Sequence, residues 1–231
     1  MKQTSLLFTL LIIIFYSCNN NETSVEYLYP TDIGNNWSYK HERYISDSLI
    51  FDQDITIEVI GRKEINGYDC LIFEEQNETK KGERYYTFSE NKFLFVGRNY
   101  YGFSPIFHLP NHQSNLRIEN ELFPADSCPV VYDYPLVNNK TWEVINHSNL
   151  EVKRIKKVIG DTSITVPAGT FLCKHIHTTD NMGGAFHEFI NKEIGLVKKE
   201  FLYTNILTDY YGDIVYNKKY RFIDVLEEYN F

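Results

Sequence analysis

Three histidines in the stretch "FLCKHIHTTDNMGGAFHEF" (171–189) are the residues whose spacing comes nearest to a chemical site. On a β-strand alternate residues share a face, so Phe171, Cys173, His175 and His177 are expected to point one way and Leu172, Lys174 and Ile176 the other. The run "DNMGG" (180–184) signals a turn. With these as a hairpin loop, Thr179 pairs Ala185, His177 falls directly opposite His187, and His175 lies diagonally within reach of it. Three imidazoles on one face are a donor set for Zn²⁺ with an open fourth position, the arrangement of a metal-dependent hydrolase. The same residues also read as histidines tolerated on the solvent face of a sheet. A slip of one residue in the hairpin would part His177 from His187 altogether.

Cys18 is the second reactive position. Lys2 supplies a positive n-region, and residues 6–16 form an apolar run broken only by Thr9. That run fits the core of a secretory signal and is too short to span a bilayer. Phe15 and Tyr16 fit ordinary signal cleavage poorly, but Ser17-Cys18 matches the heart of a bacterial lipoprotein signal. A cysteine that becomes N-terminal can carry a diacylglycerol and a further chain on its amine, and two or more chains anchor stably where one does not. The reading is therefore a signal peptide at 1–17, a lipidated Cys18 with a polar tether over 18–26, and a single domain over 27–231. Cys70, Cys128 and Cys173 remain, and all three pairings into one disulfide stay open.

Other candidates carry less. "HLPNH" (108–112) spaces two histidines by four, but Pro110 between them opposes a helix. G-x-S-x-G, P-loop and H-E-x-x-H motifs do not occur. Carboxylate pairs such as Glu74-Glu75 and Glu227-Glu228 point to opposite faces of a strand and read as solvated charge. The formal net charge of −8 argues against nucleic acid, whose phosphates need a basic face, and against electrostatic binding to anionic lipid.

The elements that must position these groups are strands. Eighteen Tyr and sixteen Phe favour sheet. "DQDITIEVI" (52–60) alternates with Ile55, Ile57 and Val59 on one side. The chain also repeats itself in order at an offset near 100 residues. "YPTDIGNNW" (29–37) answers "YPLVNNKTW" (134–142), "EVIG" (58–61) answers "KVIG" (157–160), and "YDCLIF" (68–73) answers "FLCKHI" (171–176). "GERYYTF" (82–88) and "NKFLFVG" (91–97) have counterparts at 184–190 and 191–199. The expectation is an all-β, mainly antiparallel protein: a strongly curved open sheet or half-barrel of two similar meander halves, about 29–97 and 134–199, with an irregular connection at 98–128. "EING" (64–67) and "TVPAG" (165–169) supply hairpin turns.

"GNNWSY", "TVPAGTF-x-C" and "IGLVKKE" together resemble a broad group of bacterial envelope lipoproteins of unknown function, similar in turn to the lipoprotein-carrier (LolA-like) architecture. The resemblance implies an open, curved antiparallel sheet. It assigns Gly34, Trp37, Pro167, Gly169, Phe171 and Gly195 to turns and core and supplies no catalytic residues.

Three functions follow as expectations. The leading one is a non-enzymatic lipoprotein of the cell envelope, lipid-anchored at the outer membrane, binding another envelope component or serving a structural role. The second is a carrier or sensor of a hydrophobic ligand on the concave face, lined by the Tyr and Phe of 85–103. The third is a Zn²⁺-dependent hydrolase using His175, His177 and His187. Only the third needs a cofactor.

Overall fold

The computed structural model describes residues 29–99, 121–147, 152–181, 184–208 and 214–231. The signal segment, Cys18, the tether and "HLPNH" lie outside these, as does most of the 98–128 connection.

The first meander contains β1 (Asn36–Ile45), β2 (Ser48–Ile65), β3 (Tyr68–Gln76), β4 (Lys81–Ser89) and β5 (Lys92–Arg98). Two short strands follow, β6 (Glu121–Leu122) and β7 (Val130–Asp133), both paired with β5. The second meander contains β8 (Thr141–His147), β9 (Val152–Val166), β10 (Gly169–Asp180), β11 (Ala185–Asn191) and β12 (Gly195–Thr208), and β13 (Ile214–Asn230) ends the chain. Every pairing is antiparallel, and no helix occurs among the described residues.

Twelve strands lie in the order β6-β5-β4-β3-β2-β1-β13-β12-β11-β10-β9-β8, nearly closed into a barrel with one unsealed seam. β13 joins the halves by pairing β1 on one side and β12 on the other. At the seam the Trp142 indole on β8 donates to the Val130 carbonyl on β7, 3.2 Å away. The expectation of a curved antiparallel sheet holds, with the curvature carried almost to closure.

Local chemistry explains the hairpins. β1 and β2 are joined by Ser46-Asp47 and β2 and β3 by Asn66-Gly67, all four at positive φ, the two-residue turn whose twist matches that of its strands. "TVPAG" turns β9 into β10. Ile55, Ile57 and Val59 are all buried, as their alternation predicts.

Two of the paired segments make matching main-chain bonds. Gly34 N–H donates to the Val59 carbonyl and Val59 N–H to the Asn35 carbonyl; Asn139 N–H donates to the Val158 carbonyl and Val158 N–H to the Lys140 carbonyl. The loop residues concerned stand three and two positions before Trp37 and Trp142. The isoleucine after each valine, Ile60 or Ile159, is the extra residue of a β-bulge.

That second bulge corrects the face assignment in β10. Phe171 and Cys173 pack into the core, whereas Leu172 is 68 % exposed. Beyond the bulge the parity reverses: Ile176 and Thr178 are buried, and His175 and His177 lie on the outer face. The extra Ile159 opposes the His175–Ile176 step, so one strict alternation does not run the length of β10.

The core is a chain of rings inside the barrel. Tyr29 touches Trp37, Phe73 and Phe93; Tyr86 touches Phe73, Phe93 and Phe95; Phe93 stacks toward Tyr132, with centroids 5.2–6.4 Å apart throughout. Trp37 donates to the Ile194 carbonyl and Tyr39 to the Leu196 carbonyl, each at 2.7 Å, tying the first strand to the last turn of the second meander. Of the aromatic residues in 85–103, Tyr86, Phe88, Phe93 and Phe95 face this core, while Tyr85 packs in a small separate cluster with Ile65, Cys70 and Val96.

Candidate functional site

The hairpin that carries the three histidines has the expected register. Thr179 pairs Ala185 and His177 lies directly opposite His187. His175 Nε2 and His187 Nδ1 share a hydrogen bond of 2.9 Å, one nitrogen donating and the other accepting. The His177 and His187 rings stack with centroids 4.6 Å apart and planes within 12°, and His175 stacks on Phe189 at 4.8 Å. Stacked rings hold their in-plane lone pairs parallel rather than convergent. Among the described residues no group of three or more His, Cys, Asp or Glu is placed to hold a metal ion. Burial, and then the neighbouring imidazoles, hold His175 below the ordinary histidine range; burial followed by His177 does the same for His187.

Inside the barrel lies a site that the motifs did not announce. Consecutive inward-facing positions pass from apolar to charged at the same level on strand after strand. β1 runs Trp37, Tyr39, His41; β13 runs Leu226, Asp224; β11 runs Ile190, Glu188; β9 runs Val158, Lys156; β3 runs Phe73, Glu75; β4 runs Tyr86, Arg84. Register aligns the central part into one row: Glu188 opposite Lys199, Lys199 opposite Asp224, Asp224 opposite His41. All are buried.

The carboxylates of this belt are engaged. Arg84 Nε donates to Glu75 Oε2 at 2.9 Å. Lys156 Nζ stands 2.6 Å from Glu188 Oε2, and its ammonium lies 4.7 Å from the Tyr132 ring centre. His41 Nδ1 is 2.6 Å from Asp224 Oδ1. Arg154 Nη2 reaches Asp180 at 3.2 Å, and Gly184 N–H donates to the same carboxylate. Lys199 is only 3 % exposed and, among the described residues, has no carboxylate within 4 Å. Burial pushes its ammonium down to about 8, with Glu188 pulling the other way. Burial likewise lowers Lys156 against the pull of Glu188, and raises Glu75 against the pull of Arg84. Thr178 Oγ1 and Arg154 Nε are also buried without hydrogen-bond partners.

Past the belt the inward face turns aromatic again. Phe186, Phe201 and Phe222 are directly opposite one another on β11, β12 and β13, with centroids 4.2 and 5.7 Å apart, and Tyr203 opposes Tyr220 one step further on. Phe201, Phe222, Tyr203 and Tyr220 are half-buried.

Glu75 thus corrects the reading of Glu74-Glu75 as solvated charge: Glu74 pairs Lys81 at the surface, but Glu75 lies inside against Arg84. The signal was present as charge at apolar parity, as in Phe186, Glu188, Ile190. An isolated charge in a strand is usually wet, so parity alone does not announce a buried ion. Cys70, Cys128 and Cys173 are free thiols, the first and last buried. Cys70 and Cys173 each direct Sγ at the carbonyl two residues back, 3.6 Å away.

No protein-family model matches the chain, and no curated protein matches it. Two solved structures are similar to it. A candidate lipoprotein of Parabacteroides distasonis ATCC 8503 shares 16 % identity over 90 % of this chain and 100 % of its own, with a TM-score of 0.39. A candidate exported protein with a YmcC-like fold from Bacteroides fragilis NCTC 9343 shares 13 % identity over 89 % and 100 %, with a TM-score of 0.43.

Proposed function

We propose that this chain is a lipid-anchored protein of the bacterial cell envelope whose barrel acts by binding and not by catalysis. The anchor rests on the sequence: Lys2, the short apolar run and Ser17-Cys18. The observation that carries the binding role is the belt of buried ions. Ion pairs inside a protein are a weak source of stability, and hydrophobic replacements often serve as well or better. A barrel that needed only to be stable has little use for so many. The three histidines lie on the opposite, outer face, with two rings stacked and two hydrogen-bonded to each other, which does not favour the hydrolase reading. We also read the two meanders as copies of one unit, supported by the matching bonds at Val59 and Val158.

A second reading, a hydrophobic-ligand carrier, is favoured by one feature: the aromatic ladder beyond the belt, half-buried at Phe201, Phe222, Tyr203 and Tyr220. The ring chain at the Trp37 end is buried ring against ring.

The test of anchoring is metabolic labelling with an alkyne fatty acid, followed by membrane fractionation. Wild type is labelled and sediments with membranes; Cys18→Ala is unlabelled. Equal labelling of the two proteins, or a membrane fraction free of wild type, would refute the anchor.

A further inference from the structure

Lys199 is the odd member of its belt. The carboxylates on either side of it are committed elsewhere, Glu188 to Lys156 and Asp224 to His41, at 2.6 Å each. An ammonium taken out of water with no counterion beside it is costly, and a methionine or leucine would fill the same space without that cost. Thr178 Oγ1 adds a second buried polar group with an unused hydrogen-bonding capacity on the inward face of β10. One step from Lys199 along the same face stands Phe201, between Phe186 and Phe222. Charge and aromatic surface are therefore adjacent on one inner wall, with Lys199 and Phe186 buried and Phe201 and Phe222 half-buried.

We propose that Lys199 is the counterion for a guest anion, a carboxylate or phosphate carried on an apolar body that lies along Phe201 and Phe222. The anion balances the Lys199 ammonium, and the rings take the apolar body out of water. This inference rests on the hydrophobic-ligand reading and narrows it to amphiphiles with a single anionic head. Carboxylate and phosphate heads share the chemistry that Lys199 recognises: a compact anion in a site of low polarity, where a charge-assisted hydrogen bond is strongest.

The test uses the purified full chain in nanodiscs of phosphatidylcholine, with binding followed by calorimetry against empty nanodiscs. The probes are dodecanoate, dodecyl phosphate, dodecanol and inorganic phosphate. Dodecanoate and dodecyl phosphate are expected to bind wild type at least tenfold more tightly than they bind Lys199→Met, with Lys199→Arg intermediate. Dodecanol and inorganic phosphate are expected to bind at least tenfold more weakly than either amphiphile. Equal binding of the amphiphiles to wild type and Lys199→Met overturns the role of Lys199. Dodecanol binding as tightly as dodecanoate overturns the anion while sustaining a hydrophobic carrier. Inorganic phosphate matching the amphiphiles overturns the apolar body, and the carrier reading falls with it. Absence of binding by every probe overturns both. Phe201→Ser provides a second variant, expected to weaken both amphiphiles and leave the belt intact.

Discussion

Trp37 and Ile194 are 157 residues apart in the chain and 2.7 Å apart in the fold, the indole N–H donating to the main-chain carbonyl. The bond closes the first meander onto the end of the second, inside a cluster where Trp37 is fully buried against Tyr29 and Phe73. Removing the donor alone leaves a buried carbonyl unsatisfied; removing the ring also opens a cavity. Trp37→Phe is expected to destabilise the protein by about 1–3 kcal/mol and Trp37→Ala by about 3–5 kcal/mol. Trp142 makes the corresponding bond at 3.2 Å beside the seam, and its alanine variant should cost less. Urea denaturation of the three variants checks the order, and Trp142→Ala costing more than Trp37→Ala would contradict it.

The parts of this structure that were legible in the sequence are those fixed by local rules. Alternation placed Ile55, Ile57 and Val59, and a turn of known length fixed the register of His177 against His187, since strand pairing follows directly from loop length. The repeat of "VIG" marked two positions that became matching bulges. The belt was not legible for two reasons. Its members are scattered, with His41 and Asp224 separated by 183 residues, and nothing local brings β1 beside β13. The bulge opposite His175–Ile176 also reverses which parity is inward, so a reading that kept one parity along β10 put Cys173 with the histidines and on the wrong side.

Gly195 is expected to be less replaceable than Gly34, although both have positive φ. Gly34, at φ +99°, has open space where a Cβ would stand, so alanine meets backbone strain alone, about 1–2 kcal/mol. At Gly195, φ +85°, the Cβ would also stand 3.0 Å from the Tyr29 ring, which is buried against Trp37 and Phe93 and has little room to yield. Gly195→Ala should therefore exceed Gly34→Ala by at least about 1 kcal/mol, the cost of overpacking a filled core. Thermal unfolding of the two variants decides it; equal losses would show that the Tyr29 ring moves freely.

The histidine hairpin predicts an acid-side effect. His175 and His187 are held below the ordinary histidine value by burial and by neighbouring imidazoles, and the hydrogen bond between them requires an acceptor nitrogen that a doubly protonated pair lacks. The unfolded chain therefore binds more protons than the folded chain as pH falls through about 6.5. The hairpin's contribution is full above that value and is lost as pH drops toward the folded pKa values. The effect should be modest, since both rings are partly exposed. Proton NMR of the ring resonances should show both titrating below the ordinary value, and His187→Gln should bring His175 back toward it. A His175 titration unchanged in His187→Gln would remove the mutual influence.

Lys199→Met should make the protein more stable at neutral pH, by roughly 1–4 kcal/mol, the gain seen when poorly compensated buried ions give way to hydrophobic side chains. Groups from four strands face this ammonium: Glu188 on β11 and Asp224 on β13 favour its charge, while Lys156 on β9 and Arg84 on β4 oppose it, and burial outweighs them all. Because its folded pKa of about 8 lies below the unfolded value of about 10.4, the unfolded chain holds the extra proton between the two. Wild-type stability from this group therefore rises as pH increases from about 8 to about 10.4, while the methionine variant lacks that increment. The gap between the two proteins should be widest below pH 8 and close as pH approaches 10. Urea unfolding of both proteins at pH 7, 8, 9 and 10 measures the gap directly. A gap that stayed constant across this range would show that the ammonium is not desolvated. A wild type more stable than Lys199→Met at pH 7 would mean that the belt already holds its charge in balance without a guest.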